Sequence, residues 1–139
     1  MDLERLKTEL MRDEGFVSHA YQDSLGYWTI GIGRLIDERR GGGISESEAR
    51  FLLGNDMREV LHELDHNFDW WRDMTDNRQR ALANMAFNLG MPTLLKFRNT
   101  LKYMQAGDWK RVHDNALKSK WARQVGERAE RIADLFLHG

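Results

Sequence analysis

The chain has no cysteine and a single proline among its 139 residues. Structural disulfides and cysteine-based zinc sites are therefore excluded, and the lack of cysteine fits synthesis in a reducing compartment. No apolar run approaches the roughly 20 residues that cross a bilayer, so membrane insertion is not expected. The opening M-D-L-E-R-L-K-T-E-L is charged throughout and has no signal-peptide core, which points to synthesis in the cytoplasm without a secretion signal. A strong net charge is missing too. The formal charge is −1 and the isoelectric point is near 6.5, which is not the footprint of a nucleic-acid binder. The charge is unevenly spread, with a net of −6 over residues 1–92 and +5 over residues 93–139. A basic C-terminal third can attract a polyanion such as an anionic cell envelope, although an ordinary solvated surface is the simpler account.

What is present is enough for one globular domain with a core of its own, since hydrophobic residues make up 41% of the chain and charged residues 31%. Leu3, Leu6, Leu10 and Met11 recur at helical spacing and predict a helix over 2–13, stopped at Gly15. The period then changes. Asp23-Ser24-Leu25-Gly26 is a turn signal, and a strand is expected from Tyr27 to Gly33. Alternation puts Trp28, Ile30 and Ile32 on its apolar face and Tyr27, Thr29, Gly31 and Gly33 on the other, where bare glycines allow another group to approach the backbone. Residues 39–43 read as a glycine-rich mobile loop. Ser45 and Glu48 form a capping box for a helix over 45–66 with an apolar stripe of Leu53, Met57, Val60, Leu61, Leu64 and Phe68. An aromatic connection through Trp70 and Trp71 follows. Thr75 or Asp76 caps a helix whose segment 81–89 is apolar almost all round and should be buried. Pro92 begins another helix to about 105. Asp108 caps one to about 117, Ser119 begins a short one with Trp121, and the last runs over 126–137. The fold class is α+β and predominantly helical: a small β-hairpin lobe (about 15–44), a connecting helix (about 45–66), and a helical lobe (about 67–139 plus the first helix) within one domain spanning 1–139.

Several motifs compete for the chemistry. His62-Glu63-Leu64-Asp65-His66 matches H-E-x-x-H, but at about 100° per residue both histidines point away from the apolar stripe, and no third ligand follows in 77–95. Two solvated histidines are the better reading, and no metal is expected. Gly31-Ile32-Gly33 lacks the third glycine of a dinucleotide loop, and the triplet 41–43 lacks the lysine of a phosphate loop, so no cofactor is expected. Two carboxylates remain. Glycoside cleavage needs one protonated acid at the leaving oxygen and one ionised partner. Glu14 closes the first helix, at the negative end of the helix dipole and expected to be half-buried, a place that favours an uncharged carboxyl. Asp23 sits on a wet turn and suits the charged role. Thr29, on the strand that follows, can hold a water by hydrogen bond.

The pattern Glu14-x8-Asp23-x5-Thr29, set in D-E-G…Y-x-D-x-x-G-Y-W-T-I-G-I-G, resembles the phage-type lysozymes. The likeness continues in A-L-x-N-M-x-F-N-L-G (81–90), F-R-N-T-L (97–101), N-A-L-K-S-K-W (115–121) and the Arg128 region. The resemblance implies a two-lobed muramidase acting on the β-1,4 bond between N-acetylmuramic acid and N-acetylglucosamine of bacterial peptidoglycan. It would be a monomeric endolysin made in the host cytoplasm that reaches the wall after release. In that scheme Glu14 is the general acid, Asp23 the second carboxylate and Thr29 the residue that orients water, while Leu35, Phe87, Thr100 and Asn115 line the sugar groove. The sequence departs from the family at three points. Arg34 stands where many relatives carry histidine, which implies a salt bridge rewired to Asp65 or Asp69. The segment between Leu35 and Ser45 is short, which trims the β lobe. The net charge is less basic than in better-known relatives, which implies slower encounter with an anionic wall. The rival readings are a lytic transglycosylase, which needs an acid but not Asp23 or Thr29, and an inactive wall-binding module.

Overall fold

The computed structural model describes residues 1–36 and 42–139; of the expected glycine-rich loop, residues 39–41 lie outside the described residues. The chain divides into two compact units, Met1–Phe51 and Leu52–Gly139.

In the first unit, helix α1 (Leu3–Glu14) starts at Asp2, whose carboxylate accepts the Arg5 N–H at 3.0 Å. It ends where Gly15 turns to φ 74° and returns its N–H to the Met11 carbonyl, 3.0 Å away. A side-chain-free residue takes that conformation without the Cβ penalty. A three-stranded antiparallel sheet follows in the order β1 (Val17–Gln22), β2 (Trp28–Gly31), β3 (Arg34–Leu35). Tyr21 faces Thr29 across β1–β2, and Thr29 faces Leu35 across β2–β3. The strand expected to run unbroken from Tyr27 to Gly33 is instead cut after Gly31. Gly31, the last residue of β2, and Gly33 both adopt positive φ (71° and 69°), outside the extended region in which a strand continues, and Ile32-Gly33 becomes the β2–β3 turn.

Helix α2 (Glu46–Asn67) carries the predicted capping box: the Glu48 N–H donates to Ser45 Oγ (3.1 Å) and the Ser45 N–H to Glu48 Oε1 (2.9 Å). The same carboxylate oxygen takes the Arg34 guanidinium at 2.6 Å, while Arg34 Nε donates to the Gly43 carbonyl at 2.8 Å. The expected pairing of Arg34 with Asp65 or Asp69 is thus corrected: Glu48 is the partner. Asp65 is engaged elsewhere, accepting from Trp71 Nε1 (2.7 Å) and Arg72 Nε (2.9 Å). The Ser45 backbone and hydroxyl, and then Arg34, hold the Glu48 carboxyl below the usual glutamate range. A depressed carboxylate contributes stability that is present above the ordinary value near 4.5 and is lost as pH falls through the lowered one. In acid titrations followed by thermal melting, wild type is expected to lose stability more steeply than Glu48→Gln below that value. Equal slopes would show that the carboxylate contributes nothing through this network.

The second unit buries the core. A 3-10 turn (Trp71–Asp73) follows α2, then α3 (Asp76–Leu89), α4 (Met91–Leu94), α5 (Arg98–Ala106), α6 (Trp109–Lys118), α7 (Lys120–Val125) and α8 (Glu127–His138). The caps read from the sequence are made: Thr75 accepts from Arg78 N, Asp108 from Arg111 N and Ser119 from Ala122 N. Leu64, Trp71, Leu82, Met85, Leu94, Val112, Ile132 and Phe136 are fully buried. Three expectations change. The helix predicted from Pro92 to 105 is broken at residues 95–97, a bend that sets Phe97 against the core. The stripe of α2 is buried only at Leu64 and Phe68, while Leu53 and Met57 stay exposed. The α3 segment is not buried all round, because Asn84, Phe87 and Asn88 are exposed. These three share one side of the helix, opposite the face that packs.

Candidate functional site

Glu14 is the last residue of α1 and is exposed, not half-buried as expected, because no residue of α1 is buried. Its carboxyl nevertheless has a defined seat. It lies over Gly33 in the β2–β3 turn, so close that a Cβ built on Gly33 would fall 2.6 Å from Glu14 Oε2 and 3.0 Å from its Cδ. The bare backbone predicted for this face is thus occupied by the carboxyl of the residue that the sequence singles out as the acid. Neither Glu14 carboxyl oxygen has a hydrogen bond to another described residue.

Asp23 opens the β1–β2 turn and is fixed by it. Its Oδ1 accepts the Leu25 and Tyr27 N–H groups at 2.9 and 2.8 Å, its own N–H donates to the Tyr27 carbonyl at 2.8 Å, and its carbonyl accepts from Gly26 at 3.0 Å. This is the Asx-type turn for which aspartate is suited. One carboxylate oxygen holds the turn, and Oδ2 accepts no hydrogen bond from the described residues.

Thr29 lies at the centre of the sheet, with Tyr21 on one side and Leu35 on the other. The sequence placed Trp28, Ile30 and Ile32 on one face and Thr29 on the other; the covered side is that of Thr29, which is 2% exposed, whereas Trp28 and Ile32 are 51% and 41% exposed. The Thr29 hydroxyl donates to the Tyr27 carbonyl at 3.0 Å, so what it offers a water is acceptor capacity. The β2–β3 register brings Leu35, half-buried, beside Thr29.

The other sequence-predicted residues belong to the helical unit. Phe87, on α3, is exposed and lines a cavity of about 510 Å³ with Leu53, Met57, Leu61 and Trp71. Thr100, on α5, is 5% exposed, and Asn115, on α6, is half-buried; neither lines that cavity. Arg128 does line it, held by two hydrogen bonds from Nε and one terminal nitrogen to Asn84 Oδ1 at 3.0 and 2.7 Å. Four residues along α3, Asn88 Oδ1 accepts the Trp121 indole N–H at 2.7 Å. The sequence reading named the asparagine-bearing motif and the Arg128 region but did not pair them. The i,i+4 spacing of Asn84 and Asn88, with Phe87 beside them, was the available signal. His62 and His66 are exposed around the buried Leu64, and among the described residues no group of three or more metal-binding side chains is gathered. Among the described residues, no helix is long and apolar enough to cross a membrane.

A mostly helical α+β chain in which the acid closing the first helix rests on a small antiparallel sheet is of lysozyme-like class. The comparison with known families agrees: the phage lysozyme model matches residues 11–134, and the chain belongs to that family. It is 31% identical to the pre-baseplate central spike protein of Enterobacteria phage T4, over 94% of this chain but 27% of that protein. It is 27% identical to the probable T4-type lysozyme 2 of Dictyostelium discoideum, over 96% of this chain and 94% of the relative. It is 29% identical to the endolysin of Acyrthosiphon pisum secondary endosymbiont phage 1, over 86% and 80% respectively. The chain therefore spans about a quarter of the spike protein and most of the two others.

Proposed function

We propose that the protein is a peptidoglycan muramidase that hydrolyses the β-1,4 bond between N-acetylmuramic acid and N-acetylglucosamine. Glu14 protonates the glycosidic oxygen as the bond to the anomeric carbon breaks. Asp23 presents Oδ2, which accepts no hydrogen bond from the described residues, as the second carboxylate, balancing the positive charge that develops on the sugar ring. Thr29 accepts a hydrogen bond from the attacking water; as the water oxygen bonds to the anomeric carbon, its proton passes to the carboxylate pair, which has just given one to the leaving oxygen. Leu35, Phe87, Thr100 and Asn115 are assigned to sugar binding by the family pattern. The observation that carries this reading is the seat of Glu14: an acid without hydrogen-bond partners among the described residues, held against the sheet whose first turn carries Asp23. The family membership and the endolysin relative support peptidoglycan as the substrate; synthesis in the host cytoplasm, release to the wall, action as a monomer and host-cell lysis are parts of the proposal.

Digestion of purified peptidoglycan in heavy-oxygen water, followed by mass analysis of the fragments, tests the reaction type. Fragments with a reducing end that carries the heavy oxygen are expected. Anhydro-sugar ends would overturn hydrolysis in favour of a transglycosylase. Binding without any fragments would leave a wall-binding module.

A further inference from the structure

We infer that Gly33 is a positioning residue for the general acid, an inference that rests on the assignment of Glu14 above. Gly31 precedes the β2–β3 turn and Gly33 lies in it, and both have nearly the same positive φ: Gly31 at 71° and Gly33 at 69°. Their surroundings differ completely. A Cβ on Gly31 would meet nothing within 4 Å. A Cβ on Gly33 would meet Glu14 Oε2 at 2.6 Å, Cδ at 3.0 Å and Cγ at 3.3 Å. Gly31 is therefore explained by the turn alone. Gly33 has a second reason to be bare, because its vacant side-chain volume is where the acid rests.

The consequence of filling that volume follows from what must move. The clashing atoms are the far end of an exposed, flexible side chain, and no hydrogen bond to a described residue ties the carboxyl down. A methyl group on Gly33 would therefore be accommodated by swinging the Glu14 carboxyl away, at little cost to the fold. Catalysis does not tolerate such a shift, since proton transfer requires the acid within hydrogen-bond reach of the leaving oxygen. The fold gives way and the chemistry does not, which separates a positioning role from a structural one.

Gly31→Ala serves as the control, because it carries the same left-handed strain without the clash. Gly33→Ala is expected to lower kcat on peptidoglycan roughly 10- to 100-fold relative to Gly31→Ala, with KM unchanged, as for a misplaced catalytic group. The two variants should lose similar thermal stability. Equal kcat values for the two folded variants would overturn the inference. A second measurement needs no variant: in wild-type protein, a nuclear Overhauser contact between the Glu14 γ-methylene and the Gly33 α-protons is expected, and its absence overturns the seat even if Gly33→Ala fails to fold. If wild type releases no sugar fragments, the muramidase reading fails while the proton contact still reports on the seat. If Glu14→Gln is inactive and Gly33→Ala matches Gly31→Ala, only the present inference fails.

Discussion

Glu14→Gln is expected to slow the clearing of a peptidoglycan suspension by about 100-fold or more, the usual contribution of a positioned general acid. The amide has nearly the shape of the carboxyl and fits the same seat over Gly33, but it has no proton to give to the leaving oxygen. Because Glu14 is exposed, the unfolding free energy should stay within about 0.5 kcal/mol of wild type, as for a surface substitution away from special features. Asp23 needs a two-part test, because its carboxylate holds the turn as well as the proposed catalytic charge. Asp23→Asn keeps an oxygen to accept the Leu25 and Tyr27 N–H groups and removes only the charge. It should lose rate while the turn survives. Asp23→Ala leaves both N–H groups without their acceptor and should lose rate and stability together. Turbidity traces, with circular dichroism melts on the same samples, decide. A Glu14→Gln variant that clears at the wild-type rate would remove the acid from its role, and with it the mechanism.

The parts of this molecule that were legible in the sequence are those set by residues a few positions apart. Ser45 and Glu48 announced the start of α2, and Asp108 and Ser119 those of α6 and α7, because a cap is a local hydrogen bond between near neighbours. The local placement of Glu14, Asp23 and Thr29 was legible for a similar reason: each sits at a local event, a helix end, a turn or a strand centre. What the sequence could not convey was which groups meet across the fold. Arg34 meets Glu48, 14 residues away, because β3 delivers it there, and nothing in either segment names the other. Alternation separated the two sides of β2 but could not say which one would be covered, since that depends on both flanking strands. The glycines of that strand announced an approach to the backbone without identifying the visitor. They also broke the strand they were read into, because positive φ at Gly31 and Gly33 outweighed the β-branched residue between them.

The largest expected effect on stability lies at Phe136. Its side chain is fully buried on α8 and stacks on Trp109 of α6, with ring centres 6.3 Å apart and planes 4° from parallel. The Arg78 guanidinium lies 4.1 Å above the Trp109 ring, and its Nε donates to the Phe136 carbonyl at 2.8 Å, with a further bond to the Leu137 carbonyl at 3.3 Å. A side chain of α3 thus satisfies carbonyls at the end of α8 that have no partner within the helix, where a cation is also favoured by the helix dipole. Burial pulls the Arg78 guanidinium below its ordinary value. Phe136→Ala removes the buried end of this stack and leaves a cavity, so about 3–5 kcal/mol of unfolding free energy should be lost. Arg78→Met keeps the apolar stem over the indole and removes the donors, and should cost about 1–3 kcal/mol. Leu95→Ala is the comparison, since Leu95 is exposed and its loss should cost less than about 1 kcal/mol. Urea titrations of the three variants make the test, and a Phe136→Ala midpoint no lower than that of Leu95→Ala would show that the stack does not anchor α8. The stack also bears on the cavity beside Phe87. The same helix carries Arg128 to Asn84 on α3, so loosening α8 should free Arg128 from the cavity lining.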